Sequence, residues 1–290
     1  MCNEVNYSID DYLGLVRIHE AKIFAVAQKL EIDPLTLRSR LLLHLPRSGD
    51  FKEEVLKASN FVREKQHPYA LWMRPPENSV SLNDLEFGSL NEDDAKIYHE
   101  NFHYVGSYRP GHHYALRIKG SDKIACIGSI ANFDLEHVKD KIKDHIDLQS
   151  VLMFSRFFAF RWTPKNTFSR FWGKLRQRLI KDYNTKLMFS FVNPNLGFDA
   201  RSFKGADWVD FAYEETTQYM YLDSQYQTMR FFVKNFGTND PVKLKEKLGP
   251  QFEIATTKLH PLQILANTLQ RQTSEIIPIK PYLFQRPKII

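Results

Sequence analysis

Apolar residues recur at helical spacing through the first quarter of the chain. Between residues 8 and 66 they lie three or four positions apart over long stretches, which is typical of amphipathic helices. Asp33-Pro34 is a favourable helix start, and a further helix is predicted from about Phe51 to Lys65. The two prolines of RPPENSVS, residues 74–81, indicate a linker. Residues 1–78 are therefore predicted to form a helical N-terminal region.

The segment AVAQKLEIDPLTLRSRLL, residues 25–42, has the pattern of a helix-turn-helix. In a DNA-binding version, Thr36, Arg38 and Arg40 on the second helix would read bases. The turn position carries Glu31 rather than glycine, and the N-terminal region has 11 basic and 11 acidic side chains. Because a recognition helix normally lies in a basic field, we favour a helical packing unit over a DNA-reading element.

From residue 82 the pattern changes to a mixed α/β (α+β) order. Short apolar and aromatic runs predict strands, and amphipathic stretches between them predict helices. The run VLMFSRFFAF, residues 151–160, is apolar almost throughout, as expected of a central strand covered on both faces. The predicted strands are 82–90, 114–120, 123–133, 150–160, 186–194, 217–223 and 227–236, and the predicted helices are 91–102, 166–183 and 199–213.

These elements define a predicted domain at residues 79–235, with a basic C-terminal extension at 236–290. Within the domain, the polar stretch 134–149 is predicted to form a surface excursion. The sequence thus predicts a mixed central sheet flanked by helices and preceded by a helical region.

Composition adds a charge asymmetry and a cellular expectation. The net charge is +6, and residues 151–235 hold 13 basic against 7 acidic side chains, which indicates either an anionic partner or a solvated basic surface. The polar start MCNEVNYSIDDYLG is unlike a signal peptide, and no run approaches the roughly 18 apolar residues of a membrane span. With only Cys2 and Cys126, we expect a reducing, cytoplasmic location (the host cytoplasm if the protein is phage-encoded) and no membrane partner.

Short motifs occur in a fixed order through residues 82–223. They are His103-Tyr104-x-Gly106, Ser155-Arg156 on the central strand, Pro164-x-Asn166-x-x-Ser169 at the start of the next helix, Asn193 at a strand end, and Ala206-Asp207-Trp208. Together with the element order, they resemble the GNAT acyltransferase superfamily. More narrowly, they resemble GNAT-like phage Mom-type proteins, which modify adenine in DNA.

The resemblance implies where a donor would bind. In GNAT proteins the central parallel strand splays from its neighbour, and the following helix points its N-terminus at the pyrophosphate of the donor. Unpaired N–H groups and the helix dipole favour anions at such a terminus. The residues of this chain in that position, the predicted cofactor-binding residues, are Arg161, Lys165, Asn166, Thr167 and Ser169.

The chain departs from the family pattern at three places. RWTPKN, residues 161–166, lacks the glycines of the pyrophosphate loop, so the donor is unknown, although an acyl-CoA is possible. Phe203 stands where Mom-type proteins tend to have Tyr, and Asn193 stands where they tend to have Asp. Phe203 cannot donate a proton and Asn193 cannot act as a carboxylate base, so either proton transfer falls to other side chains or the chemistry has been changed or lost.

The predicted catalytic residues are His103, Tyr104, Arg156 and Asn193. His103 and Tyr104 form a proton-transfer pair, or simply belong to a polar loop. Arg156, a charge in an apolar strand, binds an anion or a carbonyl, or forms a structural ion pair. Asn193 holds a base edge, or forms a turn. No metal site is predicted, because His112-His113 have no further ligand at suitable spacing.

The basic face of helix 166–183 predicts contacts with a nucleic-acid backbone. Its candidate residues are Lys174, Arg176, Arg178 and Lys181. The favoured function is a DNA base-modifying transferase of the GNAT/Mom type, which transfers an acyl-like or carbamoylmethyl-like group to an exocyclic amine, adenine being favoured, with DNA as partner. The alternatives are a GNAT N-acyltransferase for a small amine or a protein, and a non-catalytic GNAT-shaped DNA-binding protein.

Overall fold

The computed structural model describes residues 9–43, 50–270, 275–278 and 280–285; Cys2 and the last five residues of the basic tail lie outside these ranges. The described helices are α1 (Ile9–Ile18), α2 (Glu20–Lys29), α3 (Pro34–Leu43), α4 (Phe51–Gln66), α5 (Ala70–Met73), α6 (Glu92–Asn101), α7 (Glu136–Ile142), α8 (Thr167–Tyr183), α9 (Arg201–Lys204), α10 (Met229–Phe236) and α11 (Pro241–Leu248).

The first four helices form the predicted N-terminal region. α4 begins where Asp50 accepts a hydrogen bond from the Lys52 N–H, a side-chain cap that satisfies one of the otherwise unpaired donors of the first turn. The apolar face of α4 packs with those of α1 to α3 into one hydrophobic cluster. This cluster also includes Tyr219 and Tyr221 from the second half of the chain. The N-terminal region is therefore packed against the rest of the molecule.

The described strands are β1 (Leu85–Leu90), β2 (His112–Ile118), β3 (Ile124–Asn132), β4 (Val151–Ala159), β5 (Leu187–Val192), β6 (Val209–Glu214), β7 (Thr217–Leu222), β8 (Gln225–Gln227), β9 (Phe252–Thr257), β10 (Leu262–Thr268) and β11 (Tyr282–Phe284). Within the described residues they form an eight-stranded sheet in the order β1-β2-β3-β4-β5-β10-β6-β11 and a small sheet in the order β8-β7-β9. This architecture confirms the predicted mixed α/β class, with a central sheet, flanking helices and a preceding helical region.

The centre of the large sheet contains a parallel pair, β4 and β5, joined by the crossover helix α8. Phe171 on α8 is fully buried and packs so closely on β3 that a Cβ atom at Gly128 would lie 2.4 Å from its ring. Burial of an aromatic side chain of this kind stabilises the fold by about 1.5–3 kcal/mol. α8 is thus fixed firmly on the strands that carry the predicted site residues.

Two predicted elements are wrong. The predicted helix 199–213 is only α9, because the chain turns at Asp207, which has a φ of 62°, and continues as strand β6. The predicted strand 227–236 is helix α10, capped by the Thr228 side chain. In that segment Met229, Phe232, Val233 and Phe236 recur at helical spacing, and Phe232 is buried against the small sheet. The helical spacing of the apolar residues therefore outweighs the β propensity of the aromatic residues in this segment.

Residues beyond 235 contribute to both sheets. β10 lies between β5 and β6 in the large sheet, and β9 pairs with β7 in the small one. The predicted surface excursion at 134–149 contains α7, whose Val138 and Ile142 are buried. The division of the chain at residues 79 and 235 stays a prediction. In the described part of the chain, no helix has both the length and the apolar character that a membrane crossing needs.

Candidate active site

β4 and β5 separate soon after they begin to pair. Their pairing runs from Val151 opposite Leu187 to Met153 opposite Phe189 and then stops. At the point of separation the Ser190 hydroxyl donates a 3.0 Å hydrogen bond to the Phe154 carbonyl. A cavity of about 310 Å³, which we call the strand cleft, opens there and is lined by residues 154–159 of β4, residues 190–192 of β5 and Asn193 directly after β5. A parallel pair that parts in this way is what the GNAT resemblance implies.

The four predicted catalytic residues all line the strand cleft, and so does Phe203. These four residues come from three separate places in the fold. His103 and Tyr104 follow α6, Arg156 lies on β4, and Asn193 ends β5. The aromatic residues Phe154, Phe157, Phe168 and Phe198 make up much of the remaining wall. The cleft is therefore a largely apolar chamber with a few convergent polar groups, as binding sites for small molecules commonly are.

The His103 side chain is buried and held in one tautomer. The Val105 backbone N–H donates to Nδ1 of His103 at 3.2 Å, so the ring proton lies on Nε2. Burial lowers the pKa of His103 well below its ordinary value, and the nearby charge of Arg156 lowers this pKa further. His103 is thus a neutral hydrogen-bond donor at neutral pH. In this tautomer Nε2 is a donor, and the predicted role of His103 as a proton relay stays a prediction.

The Tyr104 ring lies 4.5 Å from the His103 ring and 4.7 Å from the Phe198 ring, measured between centroids. Burial raises the pKa of the Tyr104 phenol, although Arg156 acts in the opposite direction. The phenol therefore stays protonated at neutral pH and is available as a proton donor.

Arg156 has no counterion among the residues that the structure describes. One of its guanidinium nitrogens donates a 2.8 Å hydrogen bond to the Ser155 carbonyl, while Nε is buried without a partner. Among the described residues no carboxylate lies within 4 Å of Arg156, so the alternative of a structural ion pair finds no support there. Burial lowers the pKa of Arg156, because a guanidinium removed from water loses hydration that stabilises its charged form. A ligand with a partial or full negative charge would satisfy it.

The Asn193 amide is held by the protein. Its Oδ1 accepts from the Asn195 N–H at 3.1 Å, and its Nδ2 donates to the Tyr219 hydroxyl at 3.1 Å. Asn193 thus forms the turn before Pro194, which is the second of the two roles considered for it. Its part in catalysis stays a prediction.

Asp33 is a carboxyl of the strand cleft that sequence reasoning assigned only to a helix start. It lies at the beginning of α3, where Oδ1 accepts from the Thr36 backbone N–H at 2.7 Å. Asp33 is buried, and burial raises its pKa despite the hydrogen bonds from Thr36. No local signal indicates its position, because Asp33 is distant in sequence from the other cleft residues.

The predicted cofactor-binding residues lie next to the strand cleft rather than in its wall. Arg161, Lys165, Asn166 and Ser169 are exposed, whereas Phe168 from the same turn lines the cleft. Asn166 has a φ of 65°, the left-handed conformation that glycine otherwise favours, and its side chain does not cap α8. The Thr167 hydroxyl donates to the Pro164 carbonyl at 2.6 Å. The N–H groups of the first turn of α8 therefore lack a side-chain cap, and the loop turns sharply without a glycine.

The basic residues of α8 have different surroundings. Arg176 is partly buried and donates to the Leu269 carbonyl at 3.2 Å, and Arg178 forms an ion pair with Asp182. Lys174 and Lys181 are exposed. The two lysines are thus the more available of the predicted nucleic-acid contacts.

The helix-turn-helix segment packs into the molecule. Glu31 does adopt the left-handed turn conformation, with a φ of 53°. Arg38, however, is buried and bonds to Glu20 at 2.5 Å and to the Gly197 carbonyl at 3.1 Å. Arg40 lies 3.8 Å above the Phe61 ring. The favoured alternative, a packing unit, agrees with this arrangement, since α3 forms a wall of the strand cleft and its arginines face protein.

A chain of hydrogen bonds lies beside the cleft. The Ser129 hydroxyl is 2.9 Å from Nε2 of His99 and 2.8 Å from Nδ1 of His113, whose Nε2 is 3.1 Å from the Tyr108 hydroxyl. The His99 and His103 ring centroids are 6.3 Å apart. His113 is thus part of a hydrogen-bond network, and no group of three potential metal ligands occurs among the residues that the structure describes.

Comparison with known proteins gives structural likeness only. No family model matches the chain, and no curated protein matches it. The similar solved structures include a spermidine N-acetyltransferase from Vibrio cholerae in complex with CoA and spermine, with 6% identity, a TM-score of 0.39, and coverage of 66% of this chain and 99% of that one. A ribosomal-protein alanine N-acetyltransferase from Escherichia coli has 10% identity, a TM-score of 0.36, and coverage of 64% and 94%. An aminoglycoside N-acetyltransferase from Legionella pneumophila has 9% identity, a TM-score of 0.33, and coverage of 73% and 91%.

Proposed function

We propose that the protein is a GNAT-type transferase that moves an acyl or acyl-like group from an activated donor to an amine. The observation that carries the proposal is the strand cleft, where His103, Tyr104, Arg156 and Asp33 surround one cavity at the point where β4 and β5 part. Each of these side chains has a chemical state suited to one part of acyl transfer.

The proposed reaction has two stages. The amine nitrogen attacks the donor carbonyl carbon, a C–N bond forms, and the carbonyl π electrons move to oxygen. The tetrahedral species then collapses, the bond from carbon to the leaving group breaks, and the leaving group departs with the electron pair. The amine loses one proton and the leaving group gains one, so the transfer is balanced.

The negative oxygen is stabilised by donors that are already in place. The neutral His103 ring offers Nε2–H, and Arg156 offers a charged guanidinium that no described carboxylate pairs with. Because both are partly or fully removed from water, their attraction for a developing charge is stronger than at an exposed surface. Donors of this kind contribute about 10²–10³ in rate each.

The two proton transfers fall to Asp33 and Tyr104. Burial raises the pKa of Asp33, which makes it a stronger base than an exposed carboxylate once it is ionised. The protonated Tyr104 phenol is suited to donate to the leaving group. Phe203 packs 4.7 Å from Phe168 and 5.3 Å from Trp208, centroid to centroid, and serves only as part of the wall.

An anionic donor fits the start of α8. The Asn166 side chain does not cap the first turn of this helix, and exposed Lys165 lies directly before Asn166 in the chain, whereas Arg161 lies over the Phe24 ring of α2. The left-handed Asn166 allows the sharp turn that relatives make with glycine. An acyl thioester such as acetyl-CoA would supply the activated carbonyl and the anionic group that these residues would hold.

A DNA base amine is a second candidate acceptor, supported by exposed Lys174 and Lys181 on α8. A base in duplex DNA would have to be flipped out of the stack to reach the strand cleft. The packing of Arg38 and Arg176 against protein reduces the cationic surface left for a DNA backbone. The acyl-transfer proposal does not depend on this choice of acceptor.

Mass spectrometry can test the proposal and separate the acceptors. Purified protein would be incubated with acetyl-CoA and, separately, with amines, peptides and single-stranded DNA, while nucleosides from expressing cells would be analysed for a base of increased mass. Arg156→Ala and His103→Ala are the controls. A modified nucleoside supports the DNA acceptor, and an acylated amine or peptide supports the N-acyltransferase. Salt-sensitive DNA binding that persists in both variants, with no product either from the acetyl-CoA incubations or in expressing cells, would indicate a non-catalytic protein.

A further inference from the structure

A second cavity of about 310 Å³ adjoins the strand cleft. It shares Tyr104, Ser155 and Arg156 with the cleft, and it lies between β4 of the large sheet and β7 and β8 of the small sheet. We call it the arginine cavity, because Arg109 and Arg156 both line it.

The arginine cavity is positively charged. No Asp or Glu is among the described residues that line it; its other polar side chains are Tyr104, Ser155, Gln218, Tyr226 and Gln227. Asp134 lies nearby, but it is shared by Arg109 at 3.3 Å and Arg230 at 2.5 Å. Arg156 has no carboxylate partner among the described residues, so in the described part of the molecule the guanidinium groups of Arg109, Arg156 and Arg230 face the single carboxylate of Asp134.

An unpaired guanidinium in such a place is costly to the fold. A partly buried charge without a counterion loses hydration that nothing in the protein replaces. Arg109 is also buried, and its pKa is lowered to about 10, first by burial and then by the charge of Arg230. It nevertheless stays charged at neutral pH. An oxyanion would compensate Arg109 and share the guanidinium of Arg156, which lines both cavities and has N–H donors for each, and the Tyr226 hydroxyl could add a hydrogen bond.

We infer that the arginine cavity binds a compact oxyanion, a carboxylate or a phosphate, carried by the acceptor molecule. The anion site stands on the charges around the cavity alone, whereas its assignment to the acceptor rests on the proposed function. Because the two cavities meet at Tyr104 and Arg156, an acceptor held by its oxyanion would place a nearby amine in the strand cleft. Polycationic amines are excluded as preferred acceptors by the same charges.

Calorimetric titration of the full chain with inorganic phosphate and with acetate, at constant ionic strength, tests the anion site. We expect saturable binding of at least one of the two, and the tighter one identifies phosphate or carboxylate as the preferred group. Arg156→Gln should weaken binding at least about tenfold, and Arg230→Gln, which leaves Arg109 with the whole of Asp134, should weaken it less. Lys243→Gln removes the same charge from α11, outside the cavity, and should leave binding unchanged.

Circular dichroism would show whether Arg156→Gln folds, and Arg156→Lys, which keeps the charge, provides a second variant if it does not. Equal binding by wild type and Arg156→Gln, or no saturable binding of either anion, would overturn the inference.

A separate measurement tests the acceptor. With a working donor, glycine should be acylated at least about tenfold more efficiently than glycinamide, which lacks the carboxylate, or a phosphate-bearing amine should exceed its dephosphorylated form by a similar factor. Anion binding without any acyl transfer would leave the anion site standing and count against the proposed function. Acyl transfer that prefers spermidine to every anionic amine would overturn the acceptor assignment while supporting the transferase.

Discussion

The backbone N–H of Val105 donates a hydrogen bond to Nδ1 of His103. This bond determines that Nε2 of His103 carries the ring proton, and so it makes the ring a donor toward the strand cleft rather than a base. The relationship is local, since the two residues are only two positions apart in the loop after α6. A replacement that keeps a donor at the position of Nε2 therefore separates the two roles.

We predict that His103→Gln keeps most of the transferase activity, with kcat/KM reduced by less than about tenfold, whereas His103→Asn and His103→Ala lose about 10²–10³. The Gln amide reaches the position of Nε2, while the Asn amide reaches only that of Nδ1. Steady-state kinetics against the acceptor identified in the product assay provides the measurement. If His103→Gln loses as much activity as His103→Ala and the pH profile changes, the result would favour a proton-transfer role for His103 over a hydrogen-bond-donor role.

Buried histidines predict sensitivity to mild acid. Burial lowers the pKa of His99 to about 3 and lowers the pKa values of His103 and His113 as well. In the unfolded chain these groups titrate near 6.5, so the unfolded state binds more protons below that pH. Their contribution to stability is complete above pH 6.5 and is lost as the pH falls. Each group changes the free energy of unfolding by up to about 1.4 kcal/mol per pH unit.

Urea unfolding between pH 7 and pH 5 measures how the free energy of unfolding depends on pH. Most carboxylates titrate below this range, so they contribute little to the slope. His99→Gln retains an amide near the Ser129 hydroxyl and should reduce the slope by about one proton in the acid range. Exposed His145 is a matched control, and His145→Gln should leave the slope unchanged. Equal slopes for wild type and His99→Gln would show that His99 is not buried in its neutral form.

A pair of glycines tests the packing of α8 on the sheet. Gly128→Ala places a methyl group 2.4 Å from the Phe171 ring, and we predict a loss of stability of about 1–3 kcal/mol. Gly173→Ala adds the same methyl group on the exposed side of α8, where nothing lies within 4 Å. It should stabilise the protein by about 0.5–1 kcal/mol, because alanine favours the helix. Thermal unfolding would show the opposite signs, and similar effects of the two changes would contradict the close approach.

Much of the central fold follows from local sequence patterns. The apolar run of β4, the acidic first turn of α6 and the basic amphipathic α8 all lie where they are predicted. His103, Tyr104 and Arg156 could be selected together because short motifs in a fixed order identify them, and the fold then brings all three to one cavity.

The remaining features depend on contacts that one sequence does not reveal. Residues 227–236 are rich in side chains that favour strands, and this composition predicts a strand. The apolar positions in the segment nevertheless recur at helical spacing, and the segment forms α10. β10 enters the sheet between β5 and β6 although it comes much later in the chain. Asp33 reaches the strand cleft only because α3 packs against the turn after β5. Long-range packing of this kind leaves no periodic signal near the residue concerned.

Asp33 provides a test in which activity and stability change in opposite directions. Burial raises the pKa of Asp33 in the folded state above its pKa in the unfolded chain. Between these two pKa values the folded state binds more protons than the unfolded state, so the protein loses stability as the pH rises through that range. Asn at this position keeps an oxygen for the Thr36 N–H and is an equally good helix cap, but it carries no charge to desolvate. Asp33→Asn should therefore unfold at a higher temperature than wild type at pH 7.

The same change removes the proposed base. We predict that kcat falls at least about 10²-fold in Asp33→Asn and that the acid limb of the wild-type pH–rate profile disappears. Asp199 also lines the strand cleft but is paired with Arg201, so Asp199→Asn is a matched control that should keep the acid limb. A variant of Asp33 that is more stable and fully active, with an unchanged pH profile, would show that Asp33 only begins α3 and that the amine loses its proton to another group.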